Sequence, residues 1–154
     1  MLFNSNGSKL QQRMAASSAG INRRQEILES LELQKGQTVL DIGCGGGHLL
    51  EHLALAVGET GKVYGLDPSK AQLQAADDRC TNLTNVELLC QPANETKLAK
   101  NALDLATSTQ TLEYIKDVES ALIEIARVLK RQSKFVNVSV LWEHFKFYGP
   151  ETHL

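Results

Sequence analysis

Asp41 stands two residues before a run of glycines, in Thr38-Val39-Leu40-Asp41-Ile42-Gly43-Cys44-Gly45-Gly46-Gly47. A carboxylate beside bare main chain is suited to holding a cation, such as an amino-acid ammonium, and would repel a pyrophosphate. Val39, Leu40 and Ile42 form the short apolar run of a buried strand. Past the glycines, Leu49, Leu50, Leu53, Ala54 and Val57 recur at helical spacing. The stretch therefore reads as strand, glycine loop and helix. It sets Asp41 at the carboxyl edge of a parallel sheet, where open α/β folds hold their ligands. A second acid, Asp67, closes the next apolar run, Lys62-Val63-Tyr64-Gly65-Leu66.

Other chemistries fit less well. A nicotinamide or flavin loop calls for G-x-G-x-x-G. Gly43 and Gly45 meet the first two positions, but His48 occupies the third. No G-x-x-x-x-G-K-[ST] occurs, so a phosphate-cradling P-loop is excluded. His48 and His52 share a helix face, yet no third ligand accompanies them, so no metal is expected. Cys44, Cys80 and Cys90 are scattered without C-x-x-C spacing, which argues against a disulfide framework and suits a reducing compartment. Cys44 reads as a small residue in a tight loop.

The whole chain must position these residues. A length of 154 residues reads as a single domain. The formal net charge of −2 gives no basic surface to steer it toward nucleic acid or an anionic membrane. No 18-residue apolar run occurs, and the N-terminus lacks a signal-type apolar core. The expected location is cytoplasmic.

Residues 1–20 are polar and read as a loose start with one short helix near 9–16. Helices are expected over 23–33, with Ile27, Leu28 and Leu31 on one face against the sheet edge, and from Ser69 to about Cys80, opened by an S-x-x-Q pair with Gln72. A last helix is capped by Asp117, with Leu122, Ile125, Ala126 and Leu129 as its apolar face. Strands are expected at 38–42, 62–66, 86–89, 103–107 and 135–140. Residues 93–100 read as a loop and 141–154 as an irregular, aromatic-rich tail. Alternating strands and helices predict a parallel sheet with helices on both faces.

With these elements in place, the chain resembles the class I S-adenosylmethionine-dependent methyltransferases, of the small-molecule branch that includes quinone-biosynthesis enzymes. The resemblance rests on four segments in order. They are the glycine loop from Val39 to Gly47, the acid-ended strand from Lys62 to Ser69, the segment from Thr109 to Asp117, and Ile125-Ala126-Arg127-Val128-Leu129-Lys130. It implies a Rossmann-like doubly wound sheet of strand order 3-2-1-4-5 and S-adenosyl-L-methionine as cofactor. It further implies that Asp41 helps hold the methionine ammonium, that Gly43, Cys44 and Gly45 pass close to the cofactor, and that Asp67 and Pro68 meet the ribose. Gln72, Ala93 and Asn94 would flank the adenine. Ser108, Thr109 and Gln110 would lie near the methionine end, where a small-molecule acceptor enters. No general base is assigned. No Asn/Asp-Pro-Pro-Tyr follows strand four, so methylation of DNA bases is not suggested.

The chain also departs from that family. Pro92 stands where an acid often meets the adenine, and Gln72 where a large apolar residue often packs on it. Arg131-Gln132-Ser133 replaces a Pro-Gly-Gly turn. The family's sheet usually continues for two more strands, so the chain reads as C-terminally truncated. The 135–140 strand edge is then expected to be covered by the tail or by a second copy in a homodimer. A non-catalytic or incomplete S-adenosylmethionine-binding domain is the alternative reading, and a dinucleotide oxidoreductase a third. The pair Arg23-Arg24 reads as solvated surface, and Glu113 and Tyr114 as helix-entry packing or substrate contacts.

Overall fold

The computed structural model describes residues 13–139. The expected aromatic tail, with Trp142 and His144, lies outside the described residues. The strands are β1 (Thr38–Ile42), β2 (Lys62–Leu66), β3 (Val86–Leu89), β4 (Leu103–Thr109) and β5 (Leu129–Val138). The helices are α1 (Ser18–Leu31), α2 (His48–Val57), α3 (Lys70–Cys80) and α4 (Val118–Val128). All strand pairs are parallel, in the order β3-β2-β1-β4-β5 that the resemblance implied. The order in which strands are added reverses between β1 and β4, which opens a crevice at their carboxyl ends.

Alternation along the strands feeds two cores. Val39, Val63 and Leu105 pack with Leu50, Leu53 and Val57 of α2, Leu73 and Ala76 of α3, and Ile27 and Leu31 of α1. Leu40, Ile42, Leu66 and Ala106 pack on the other face with Ala121, Ile125 and Val128 of α4. Each fully buried Leu or Val contributes about 1.5–3 kcal/mol. The core thereby fixes the register that puts Asp41 beside the β2 end, where Asp41 pairs with Gly65.

Local chemistry shifts several boundaries from their expected places. α1 starts at Ser18, five residues before 23, because the Ser17 hydroxyl accepts the Gly20 N–H at 3.2 Å. The helix covers the sheet face beside α2, not the sheet edge. Asp117 caps α4 as expected, accepting the Ser120 N–H at 3.0 Å. The buried stripe of α4 is Ala121, Ile125 and Val128, whereas Leu122 and Ala126 are exposed. Glu124 helps to set this phase, for it is held by Thr96 and Arg127.

The strand β5 begins earlier than expected, at Leu129, and carries an insertion against β4. Leu103 pairs with Leu129, but Leu105 pairs with Lys134. The extra residues include Gln132 at φ 66°, a left-handed conformation that costs a side-chain-bearing residue about 1 kcal/mol or more. Gln132→Gly is therefore expected to stabilise the fold by about 0.5–1 kcal/mol, the relief exceeding the entropy glycine adds to the unfolded chain. A denaturant midpoint that does not rise would contradict this. Among the described residues β5 pairs only with β4, and Phe135, Val136 and Val138 are half-buried.

Candidate functional site

The glycine loop is held by main-chain bonds to the end of β2. The N–H groups of Gly43 and Cys44 both donate to the Leu66 carbonyl, at 2.7 and 3.1 Å. The Gly45 N–H donates to Asp67 Oδ2 at 3.1 Å, and the Gly47 N–H to the Cys44 carbonyl at 3.1 Å. Four loop donors are thus consumed inside the protein, whereas a pyrophosphate site would keep such donors for its ligand. The other Asp67 oxygen accepts the Ser69 N–H at 2.8 Å, and the Ser69 hydroxyl in turn accepts from Gln72 N–H at the start of α3. One acid thereby joins the β1 loop to the β2 loop.

A Cβ on Gly43 would lie 2.1 Å from the Thr111 hydroxyl, so the segment after β4 folds directly onto that residue. A Cβ on Gly45 would meet nothing within 4 Å. Gly45 is therefore the bare stretch of main chain that a ligand can approach. Gly47 abuts Ala76 and serves the packing of α2 on α3.

Both acids are buried and both resist ionising. Asp41 is 2% exposed, and burial, helped by the charge of Asp67, pushes its pKa up to about 7. Burial also raises Asp67, although its two main-chain hydrogen bonds oppose the rise. Burial and the two carboxylates hold the Cys44 thiol well above its ordinary range, so it is not a nucleophile. His48 is pushed down to about 4 by burial and then by Arg79 and Arg24, and it is neutral at physiological pH.

These groups border one cavity of about 760 Å³ that runs from the β3 end to the β4 end. Of the site residues expected from sequence, Asp41, Gly43, Cys44, Gly45, Asp67, Pro68, Gln72, Ala93, Asn94, Thr109 and Gln110 all border it. Gln72 is 3% exposed, and Asn94 lies at the solvent rim with Pro92.

Ser108 does not border the cavity. β4 runs two residues farther than expected, so alternation turns Ser108 into the sheet, fully buried. Arg23 and Arg24 were expected in solvent, but both are half-buried at this cavity. Met14, Ala15 and His48 border it too. No spacing in the sequence announced Arg23 and Arg24 there, because α1 reaches the site through its packing on α2. Tyr114 borders the cavity, while Glu113 turns away and accepts from the Ser139 hydroxyl. Among the described residues, no three His, Cys, Asp or Glu side chains converge as metal ligands.

Residues 40–137 match the methyltransferase-domain family. The chain belongs to this family. It is the class I S-adenosylmethionine-dependent type, with the matching strand order. The chain is 36% identical over 107 residues to a demethylmenaquinone methyltransferase of Bacillus licheniformis, covering 70% of this chain and 46% of the relative. It is 30% identical over 138 residues to an uncharacterized 37.1 kDa transposon protein of Streptomyces fradiae, covering 90% of this chain and 40% of that one. A solved S-adenosylmethionine-dependent methyltransferase from Aquifex aeolicus superposes with a TM-score of 0.69 at 31% identity, covering 73% of this chain and 62% of that one. The chain spans less than half the length of these curated relatives. No helix among the described residues is long and apolar enough to cross a membrane.

Proposed function

We propose that the chain is a methyltransferase that binds S-adenosylmethionine in the Asp41–Asp67 crevice and methylates a small-molecule acceptor, with a quinol as the first candidate. The observation that carries this reading is Asp41. It is a carboxylate buried beside a second carboxylate, with no hydrogen-bond or ion-pair partner among the described residues. Such a pair is costly unless a cation joins it. S-adenosylmethionine carries an ammonium and a sulfonium, and the residues present fit it. The quinol is suggested by the demethylmenaquinone methyltransferase relative.

In this reading Asp41 holds the ammonium and the Asp67 carboxylate accepts from the ribose hydroxyls with its remaining lone pairs. Gly45 lets the ligand lie against the main chain. Gln72, Ala93, Pro92 and Asn94 flank the base, and Thr109 and Gln110 border the methionine end. Bound there, the cofactor would supply an activated methyl group. The protein's part is to position the acceptor and exclude water, and apolar Met14, Leu49 and Ile115 help to do so. The test is transfer of labelled methyl from S-adenosylmethionine to a panel of naphthoquinols, phenols and amines. Labelled quinol is the expected product. Tight binding with no turnover on any acceptor would favour a binding domain.

The loop glycines Gly43 and Gly45 separate fold from binding. Gly43→Ala collides with Thr111 in a left-handed conformation and is expected to lose about 2–4 kcal/mol of stability. Gly45→Ala has room and is expected to lose about 1–2 kcal/mol. Its new methyl enters the space a cofactor would fill, so S-adenosylhomocysteine should bind at least about tenfold more weakly to the folded variant. A melt and a titration of each variant check this. Unchanged affinity in Gly45→Ala would move the cofactor away from the loop.

A second copy paired on the β5 flank would complete the sheet edge. Sedimentation velocity is then expected to show a dimer, and a monomer at all concentrations would exclude it.

A further inference from the structure

Positive charge accumulates beside the cavity with no ion pair among the described residues. Arg23 and Arg24 reach it from α1, and Arg79, on the last turn of α3, stands behind His48. Every hydrogen-bond partner of these arginines among the described residues is neutral. Arg23 donates to the Gln110 side-chain oxygen, and Arg24 Nη1 donates to the Ala15 carbonyl at 2.6 Å. Arg79 Nε donates to the Gly46 carbonyl at 3.0 Å, and its Nη2 lies 3.1 Å from His48 Nε2. Among the described residues none of the three makes an ion pair, although five such pairs occur elsewhere. The Nε of Arg24 is buried without a hydrogen-bond partner. Burial and the neighbouring Arg79 and Arg23 disfavour the Arg24 charge, and Glu51 is the one acid that offsets them.

A buried guanidinium donor facing other guanidiniums is an anion site waiting for its anion. The same cavity also holds the buried acids Asp41 and Asp67, with which none of these arginines pairs among the described residues. Met14, Leu49, Tyr114 and Ile115 also line it.

Resting on the methyltransferase reading, we propose that Arg23 and Arg24 bind the acceptor through an oxyanion (carboxylate, phosphate or ionised phenol) carried on an apolar body. One cofactor carboxylate could engage one guanidinium. Two half-buried guanidiniums, with a third behind them, leave charge for a second anion.

The test is calorimetric titration of decanoate, decanol and decyltrimethylammonium into the chain saturated with S-adenosylhomocysteine, whose own carboxylate is then already in place. Decanoate is expected to bind about tenfold or more tightly than either control. Arg23→Gln and Arg24→Gln should each weaken decanoate about tenfold, and at least one of them should do so while changing S-adenosylhomocysteine affinity by no more than about threefold. Arg24→Lys, which keeps the charge, should retain most of the decanoate affinity. Equal binding of the three probes would overturn the proposal. So would decanoate affinity that both Gln variants leave unchanged, or a loss of S-adenosylhomocysteine affinity in both variants as large as that of decanoate, which would assign the arginines to the cofactor. Failure of S-adenosylhomocysteine to bind the unaltered chain would sink the methyltransferase reading instead. Decanoate titrated into the free chain would still read the anion site by the same variants.

Discussion

Asp41→Asn is expected to raise the melting temperature of the ligand-free chain while removing most of its affinity for S-adenosylmethionine. Burial and the Asp67 charge hold the folded pKa of Asp41 at about 7, against roughly 4 for an unfolded aspartate. A carboxyl raised in this way favours folding only while it is protonated. Its contribution is complete below about pH 4 and is lost as pH rises through about 7. At pH 8 the unaltered chain therefore bears the whole penalty, which asparagine lacks. After allowance for desolvating the new amide, the gain should be about 1–3 kcal/mol at pH 8 and close to nothing at pH 4.

Binding should move the opposite way. A cationic ligand prefers the ionised carboxylate, so affinity in the unaltered chain should rise with pH and level off above about 7. In Asp41→Asn that rise should be absent, and affinity at pH 8 should fall by about 1.5–3 kcal/mol. Melts and titrations at pH 5 and pH 8 give all four values. A variant that loses stability at pH 8, or that binds normally, would remove Asp41 from the cation site.

Asp67→Ala is expected to weaken S-adenosylhomocysteine by about 1.5–3 kcal/mol, the scale of hydrogen bonds to a charged acceptor. The structure gives this substitution a second cost. Asp67 also accepts the Gly45 and Ser69 N–H groups, so its removal frees the loop that a ligand must lie against. Asp67→Asn separates the two effects. Its remaining amide oxygen can hold one loop donor but cannot serve both the loop and the ribose. It should melt nearer the unaltered chain than Asp67→Ala does and still bind weakly. Full affinity in either folded variant would exclude Asp67 from the site.

Much of this was legible before any coordinates, because glycines and acids at strand ends report local geometry. The 38–47 stretch specifies its own strand, turn and helix. Asp67 closes β2 where apolar alternation stops, and the Ser69 and Asp117 caps mark helix starts by side-chain chemistry alone. What the sequence concealed depends on contacts far apart in the chain. Ser108 looked available because β4 was expected to end at 107, yet pairing with β1 and β5 carries the strand to Thr109. Arg23 and Arg24 looked like surface charge because their setting comes from residues about 55 to 90 positions away, at Arg79 and Gln110. The phase of α4 was misplaced for the same reason, since Thr96, in the loop before β4, helps to anchor Glu124. Local chemistry announced the acidic loops of the cavity, and tertiary packing brought the arginines to it.

Isothermal titration of the chain with S-adenosylmethionine, S-adenosylhomocysteine and NAD, under one set of conditions at pH 8, tests the central claim most directly. Saturable one-to-one binding of the two adenosyl compounds, without heat from NAD, is the expected result. Saturable binding of NAD with none of either adenosyl compound would contradict the account, because the paired carboxylates would then tolerate a pyrophosphate and refuse the cation they are arranged to hold.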